Sequence, residues 1–492
     1  MSPDLNPIKK WMQNPRGFLI GGGWLLPKHS RAFDVVNPAT EETLGSLPEA
    51  QVEDVDQAVS AARAAQPAWA ALPRRGRAAI LNKIGAVIRE HAAELAAIES
   101  LTNGKTYTES LHDDMPESAD VFDYYAGWAD KYYGHSIPVD GPFVNYTVQD
   151  PVGVAALIVP WNFPLLLACW KIAPALITGN AVIVKPSSFT SHSIIRLFEL
   201  VVEKKILPPG VVNLVYGDSV PGAALSAHPG VNKISFTGST ATGRKVVEGA
   251  AKSNLKTVTL ELGGKSPNII FEDAAHLDKV IKRAFVAMFS HKGEKCSEPT
   301  RLLVHESLYR QVTEKLIAMA NETRCGDPFA PDTTQGPQCH RQHYESVLRY
   351  IEIGKKEGAT LLAGGTENPS PPGKGFFIRP TIFGDVTPAM VIAREEIFGP
   401  VLCVMKFSSE EEAVRIANNT TYGLAAGFYS SDASRCQRVA RQLDAGMVFV
   451  NHYGCYDFAS PFGGTKQSGW GREMAIHSLS EYTKTKSIWQ RY

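Results

Sequence analysis

Short β-rich runs recur along this chain at residues 181–184, 212–216, 233–236, 257–260 and 302–305, and helical patterns such as 241–251 and 308–320 separate several of them. Parallel strands need a crossover long enough to return the chain, and a helix usually supplies it. The alternation therefore predicts an α/β fold, with a parallel sheet covered by helices on both faces. At roughly 150 residues per domain, 492 residues suggest about three domains.

Residues 152–170 read VGVAALIVPWNFPLLLACW, nearly all apolar and about the length of a membrane span. Pro160, Asn162 and Pro164 interrupt the middle of that run. Proline removes backbone donors and kinks a helix, and an asparagine in lipid is costly. The segment is expected to form a buried strand, a turn and a buried helix, and a single interrupted stretch does not suit a membrane transporter. Upstream, Ile80, Ile84, Val87, Ile88, Leu95 and Ile98 mark one face of a long helix, stopped at Leu101-Thr102-Asn103-Gly104. The run NPSPPGKG at 368–375 reads as an exposed excursion. Residues 143–148 and 482–489 alternate in polarity like half-buried strands. Strands of that kind pair either with another subunit or with each other inside the chain.

Lys plus Arg equal Asp plus Glu at 50 each, which argues against nucleic acid or an anionic membrane as the main partner. At 44% hydrophobic and 20% charged residues, the composition is that of a folded chain. The seven cysteines are odd in number and form no CxxC pair, which fits neither a disulfide framework nor a zinc ribbon. No metal is expected. A reducing compartment fits, and MSPDLNPIKKWMQNP contains no apolar h-region, so a cytoplasmic location is expected.

Several short motifs could carry chemistry. Asn162, in PWNFP, follows an apolar strand, and its NH2 can donate to a developing oxyanion. Lys185, in KPSS, stands at a strand end, where a lysine can reach a ribose or phosphate. FTGST carries Gly238 and Ser239 into a helix N-terminus that can hold pyrophosphate, although the spacing matches neither GxGxxG nor a Walker loop. Glu261, in ELGGK, is a possible general base if burial raises its pKa. Cys296, in GEKCS, lies beside Lys295, whose charge could lower a thiol pKa. EEIFGP at 395–400 and PFGGTKQSG at 461–469 set charge beside aromatic residues in turns. Each motif alone also fits an ordinary turn.

Their order is more specific. PWNFP, KPSS, FTGST, ELGGK, GxxCS, EEIFGP and PFGGxKxSG follow one another over residues 160–469, and in this the chain resembles the NAD(P)-dependent aldehyde dehydrogenase superfamily. The resemblance implies a discontinuous Rossmann-like NAD(P)-binding domain at 1–130 and 149–260. It further implies a catalytic domain at 261–467 and a small β oligomerisation domain at 131–148 and 468–492. A homodimer or homotetramer is implied, with a small-molecule aldehyde as substrate. Cys296 would attack the aldehyde, Asn162 and the Cys296 N–H would hold the oxyanion, and Glu261 would activate water. Lys171 and Glu473 match positions near that base. Trp161, Lys185, Ser188, Gly238, Ser239, Glu396 and Phe398 fall at cofactor positions. Phe163, Trp170, Lys295, Ser297, Tyr456 and Phe462 fall on the substrate side, where core packing is a serious competitor for the aromatic residues.

Three departures bear on specificity. Ser188 stands where many NAD-using relatives carry Glu, so NAD is expected and NADP is tolerated. Lys295 stands where relatives often carry a small or apolar residue, and would favour an acidic aldehyde or lower the Cys296 pKa unless it points away from the tunnel. The run His112-Asp113-Asp114-Met115-Pro116-Glu117 would favour a cationic aldehyde or be a solvated helix start. The two charges point to opposite substrates. Transfer of the acyl group to CoA, a thiol hydrolase and a non-catalytic structural relative are the competing functions. Glu261 argues against the first, the cofactor motifs against the second, and intact Cys296, Glu261 and Asn162 against the third.

Overall fold

The computed structural model describes residues 3–27, 31–370 and 373–492, so Met1, Ser2 and the Pro371-Pro372 tip of the expected excursion lie outside the described residues. Strand Val154–Ile158 is buried throughout, and so is helix Pro164–Ile177 after it. Pro164 occupies the first turn of that helix, where its missing N–H costs nothing. The apolar run is thus a strand, a turn and a buried helix, as expected. No helix among the described residues is long and apolar enough to cross a membrane.

Val154–Ile158 belongs to an eight-stranded sheet. Its five central strands lie in the order Val212–Leu214, Ala181–Lys185, Val154–Ile158, Lys233–Thr237, Thr257–Glu261, and all pair in parallel. The order runs backward along the sequence to Val154–Ile158 and then forward, which makes a topological switch point beside Lys233–Thr237. Ligands of open α/β sheets bind outside the carboxyl ends of strands at such a point. Phe18–Ile20 with Gly23–Leu25 closes one edge, and Gly469–Trp470 adds antiparallel to Thr257–Glu261 at the other.

A second sheet has seven strands, with Pro267–Ile270, Arg301–His305, Val401–Phe407 and Ala425–Tyr429 at its centre. Residues 262–266 link the last residue of Thr257–Glu261 to the first of Pro267–Ile270, so the chain crosses between the sheets at ELGGKS. Phe143–Pro151 pairs antiparallel with Thr483–Arg491 along its whole length, and Ser136–Ile137 adds a third strand. The two alternating segments therefore pair with each other inside the chain.

Two local expectations are corrected. The long helix around residues 80–98 is two helices, Arg74–Glu90 and Ala92–Asn103, broken at His91, whose φ/ψ of −111°/19° is not helical. The second ends as expected at Gly104, which takes φ +86°. The acidic run is not simply a solvated helix start. It forms a π-helical turn, Ser110–Asp114, joined to helix Met115–Ala126, and Asp114 is buried against Lys105 Nζ at 2.5 Å.

Candidate active site

Glu261 is the last residue of its strand, where the chain leaves the first sheet for the second, and it faces Gly463. It is buried, its Oε2 has no hydrogen-bond partner among the described residues, and a Cβ placed on Gly463 would stand 2.7 Å from its Oε1. Only glycine lets the chain pass so close to the carboxylate. Burial pushes the Glu261 carboxyl well above the usual carboxylate range, the like charge of Glu473 pushes it further, and Lys171 pulls it back.

Lys171 is the one charged residue of the apolar helix Pro164–Ile177. Its ammonium is fully buried, pairs with Glu473, and donates to Ser235 Oγ at 3.1 Å. Reciprocal backbone hydrogen bonds between Glu473 and Phe462, both 2.8 Å, hold that carboxylate in place.

Asn162 sits in the turn after Val154–Ile158. Asn103, at the end of its helix, donates to the Trp161 carbonyl at 2.9 Å and anchors that turn. The Asn162 Nδ2 donates to the Glu294 carbonyl at 2.8 Å, which ties it to the loop carrying Cys296 and leaves its second N–H for another acceptor. Cys296 follows the 3-10 turn Ser290–Gly293, in which His291 and Lys292 take φ of +50° and +64°. A Cβ on Gly264 would stand 2.4 Å from the Cys296 carbonyl oxygen, so the two loops touch through backbone.

The charge of Lys295 does not reach the Cys296 thiol. Lys295 Nζ donates to Ser290 Oγ at 2.7 Å and pairs with buried Glu298 at 3.4 Å. The thiol pKa is raised, first by burial and then by Glu261 and Glu396. The expectation of a thiol activated by its neighbouring lysine is thereby corrected.

The residues expected on the cofactor side follow the carboxyl ends of the same sheet. Lys185 ends strand Ala181–Lys185, and burial lowers its pKa to about 8, partly offset by Asp218 and Glu49. Among the described residues its ammonium makes one hydrogen bond, a long one to the Pro186 carbonyl at 3.4 Å, which leaves it available to a ligand. Ser188 is half-buried in the turn that follows. Gly238 links strand Lys233–Thr237 to Ser239, whose Oγ caps helix Thr240–Lys252 by accepting from Thr242 N at 3.2 Å. Glu396 reaches in from the second sheet and accepts from Gly264 N at 2.9 Å, and burial raises its carboxyl to about 7. Phe398 lies in the same turn, with Trp161 edge-on at 5.3 Å between centroids. A buried cation and a capped helix N-terminus at the carboxyl ends of strands in one sheet can donate to phosphates, and the Glu396 carboxylate can accept from ribose hydroxyls, a set of groups that fits a dinucleotide.

On the other side, Trp170, Phe462 and Tyr456 form a chain of rings, with centroids 5.2 and 5.6 Å apart. Ser297 Oγ lies 2.6 Å from the Tyr456 hydroxyl. Phe163 packs on His291 at 4.8 Å, with Lys105 Nζ 4.4 Å over its ring. A cavity of about 230 Å³ opens beside Phe449, Cys455, Tyr456, Phe462 and Met474.

The sequence did not mark Asn103, Glu294 or His343. Glu294 fixes both sides of the Cys296 loop, since its carboxylate accepts from Cys339 N at 3.0 Å while its carbonyl holds Asn162. A carboxylate two residues before the cysteine was a signal in plain view. Asn103 and His343 had none, because their partners are remote in sequence.

Comparison with known proteins agrees with this geometry. A model of the aldehyde dehydrogenase family matches residues 24–488. Human mitochondrial aldehyde dehydrogenase is 44% identical over 473 residues, covering 95% of this chain and 90% of the relative. The structure of a Bacillus cereus aldehyde dehydrogenase in complex with NAD+ superposes with a TM-score of 0.95 at 42% identity, over 100% of both chains. That of PnpE from Pseudomonas sp. WBC-3 gives 0.94 at 41%, over 98% of both. The chain therefore belongs to the aldehyde dehydrogenase family, oxidoreductases that act on aldehydes with a nicotinamide dinucleotide as cofactor.

Proposed function

We propose that this chain oxidises an aldehyde to its carboxylic acid by way of a thiohemiacetal and then a thioester on Cys296, which Glu261 hydrolyses. The observation that carries the proposal is the convergence of Cys296, Asn162 and a buried Glu261 carboxylate whose Oε2 has no hydrogen-bond partner among the described residues. The Cys296 thiol gives its proton to water as sulfur attacks the carbonyl carbon, a loss that burial and the charge of Glu261 oppose until the aldehyde is in place. The free Asn162 N–H and the Cys296 backbone N–H stabilise the oxyanion. Lys185, Gly238, Ser239, Glu396, Phe398 and Trp161 bind and orient the cofactor, which supplies the hydride acceptor when bound. Hydride loss from the thiohemiacetal leaves the thioester. Glu261 then takes a proton from water as the oxygen attacks the acyl carbon, and Lys171 with Glu473 sets the charge around it.

The three-part division at 1–130 with 149–260, 261–467, and 131–148 with 468–492 belongs to the same proposal. So does assembly into a homodimer or homotetramer. The seven free thiols suit a reducing compartment, and we place the chain in the cytoplasm. Lys295 is paired with Glu298 and Asp114 with Lys105, so neither of these two residues stands free to select a charged aldehyde, while Asp113 and Glu117 of the acidic run are exposed. The ring chain from Trp170 to Tyr456 favours an uncharged aldehyde with an apolar body.

The test is NAD(P)H formation at 340 nm with acidic, amino, aromatic and aliphatic aldehydes, with and without CoA. We expect CoA-independent signal, strongest with uncharged aldehydes and abolished in Cys296→Ala, which still binds cofactor. A strict requirement for CoA would replace hydrolysis with acyl transfer, and unchanged turnover in Cys296→Ala would remove the nucleophile.

A further inference from the structure

His343 lies in the first turn of helix Arg341–Lys356, and nothing in the scheme above uses it. Its side chain is only 9% exposed. The Nε2 stands 2.7 Å from the Phe398 carbonyl oxygen. A carbonyl only accepts, so Nε2 carries the hydrogen. Burial lowers the His343 pKa to about 3, so the ring is neutral across the working range and donates there at any pH. The same ring packs on Trp161 at 4.9 Å and on Phe398 at 6.0 Å. Its Nε2 also lies 3.6 Å from Glu294 Oε1, and Glu294 is the residue whose carbonyl holds Asn162.

One imidazole thus touches three loops that carry other site residues. They are the turn of Trp161 and Asn162, the loop of Glu294 and Cys296, and the turn of Glu396 and Phe398. The last most needs a tie. Phe398 takes φ +60°, a left-handed conformation that a bulky residue adopts only when its surroundings hold it. Glu396 is two residues away, so any relaxation at Phe398 moves that carboxylate.

We propose that His343 is a positioning residue for the nicotinamide half of the cofactor, its Nε2–H clamping the Phe398 carbonyl while its ring backs Trp161. The proposal rests on the assignment of Glu396, Phe398 and Trp161 to the cofactor. It predicts a division within the ligand: the adenosine and pyrophosphate end, held at Lys185, Gly238 and Ser239, does not depend on His343.

The test is calorimetric binding of NAD and of ADP, which lacks the nicotinamide and its ribose, to the full chain. In His343→Leu the Kd for NAD should rise about tenfold, the scale of one lost hydrogen bond, while that for ADP stays within about twofold. The amide of His343→Gln can reach the Phe398 carbonyl, so this variant should restore NAD binding to within about threefold of the wild type. Should the leucine variant not fold, His343→Asn, whose amide falls short, takes its place with the same expectation. Unchanged NAD binding, equal weakening of NAD and ADP, or a glutamine variant no better than leucine would each overturn the proposal. A wild-type chain that binds ADP and not NAD would overturn the cofactor assignment itself, which is a separate outcome.

Discussion

A base must lose its proton before it can activate water, so the raised carboxyl of Glu261 has a readable consequence. Below its pKa the group is protonated and hydrolysis stops, and that pKa lies above the ordinary carboxylate range because of burial and the like charge of Glu473. The rate of thioester hydrolysis should therefore fall on the acid side at a higher pH than a solvated glutamate would give. Glu473→Gln removes the like charge and leaves the Lys171 ammonium, so the acid limb of the kcat–pH profile should move to lower pH. Lys171→Met should move it the other way. A limb that stays put in both variants would assign it to another group. Replacing the base itself, as Glu261→Gln, should leave a first burst of NADH equal to the sites present, followed by turnover slower by about 10²–10⁴-fold. Loss of the burst together with the steady state would place Glu261 in an earlier step. Ser188 carries no charge to repel a 2′-phosphate, so NADP should support more than about a thousandth of the NAD efficiency, a gap of about 4 kcal/mol. Ser188→Glu should depress NADP use and spare NAD. At this scale Lys171 was marked only through the family resemblance, and the structure shows it to be the one charged residue of its apolar helix. The sequence misled where charge is settled at a distance. Lys295 sits beside Cys296, but Glu298 takes its charge, and the carboxylates that act on the thiol come from positions 261 and 396.

The placement of the strands was legible because a parallel sheet imposes alternation along the whole chain. Each of five β-rich runs became a strand, with boundaries shifted by one or two residues. The break at His91 was not legible, because the apolar periodicity of residues 80–98 continues across it and only backbone dihedrals reveal it. Nor was the crossing at 262–266, where two glycines do different work. Gly263 lies under the Glu396 carboxylate, and a Cβ there would stand 2.0 Å from its Oε2. Gly264 faces backbone, the carbonyl of Cys296, which cannot swing aside as a side chain can. Gly264→Ala should therefore push the Cys296 loop away from its hydrogen bond to Asn162 while both sheets stay intact. Displacing a reacting group by about 1 Å costs on the order of 10²-fold in rate, so kcat should fall by about that factor with circular dichroism unchanged. Wild-type kcat in a folded Gly264→Ala chain would show that the loop has slack the geometry does not suggest.

At the scale of the molecule, the three-stranded sheet is the part that does not close on its own. Two- and three-stranded sheets in water depend on an apolar face packed against something. Here Ile137, Phe143 and Trp489 share one face through the pairings Ile137 with Asn145 and Asn145 with Trp489, and all three are exposed, Trp489 at 59%. The Phe143 and Trp489 rings pack edge to face at 6.0 Å, which leaves an apolar patch presented outward. Pairing inside the chain satisfies the backbone of Phe143–Pro151 and leaves the patch uncovered, so it answers only half of what the alternating sequence asks. A second copy of the chain is the cover that the family resemblance implies. Sedimentation velocity should find two or four chains per particle. Phe143→Glu with Trp489→Glu would bury two unpaired carboxylates at such a contact, a cost of several kcal/mol that association does not survive. The double variant should sediment as a smaller species and still bind NAD, since the crevice lies at the carboxyl ends of strands within one chain. A wild-type monomer, or a double variant of unchanged mass, would mean that this face is not where copies meet.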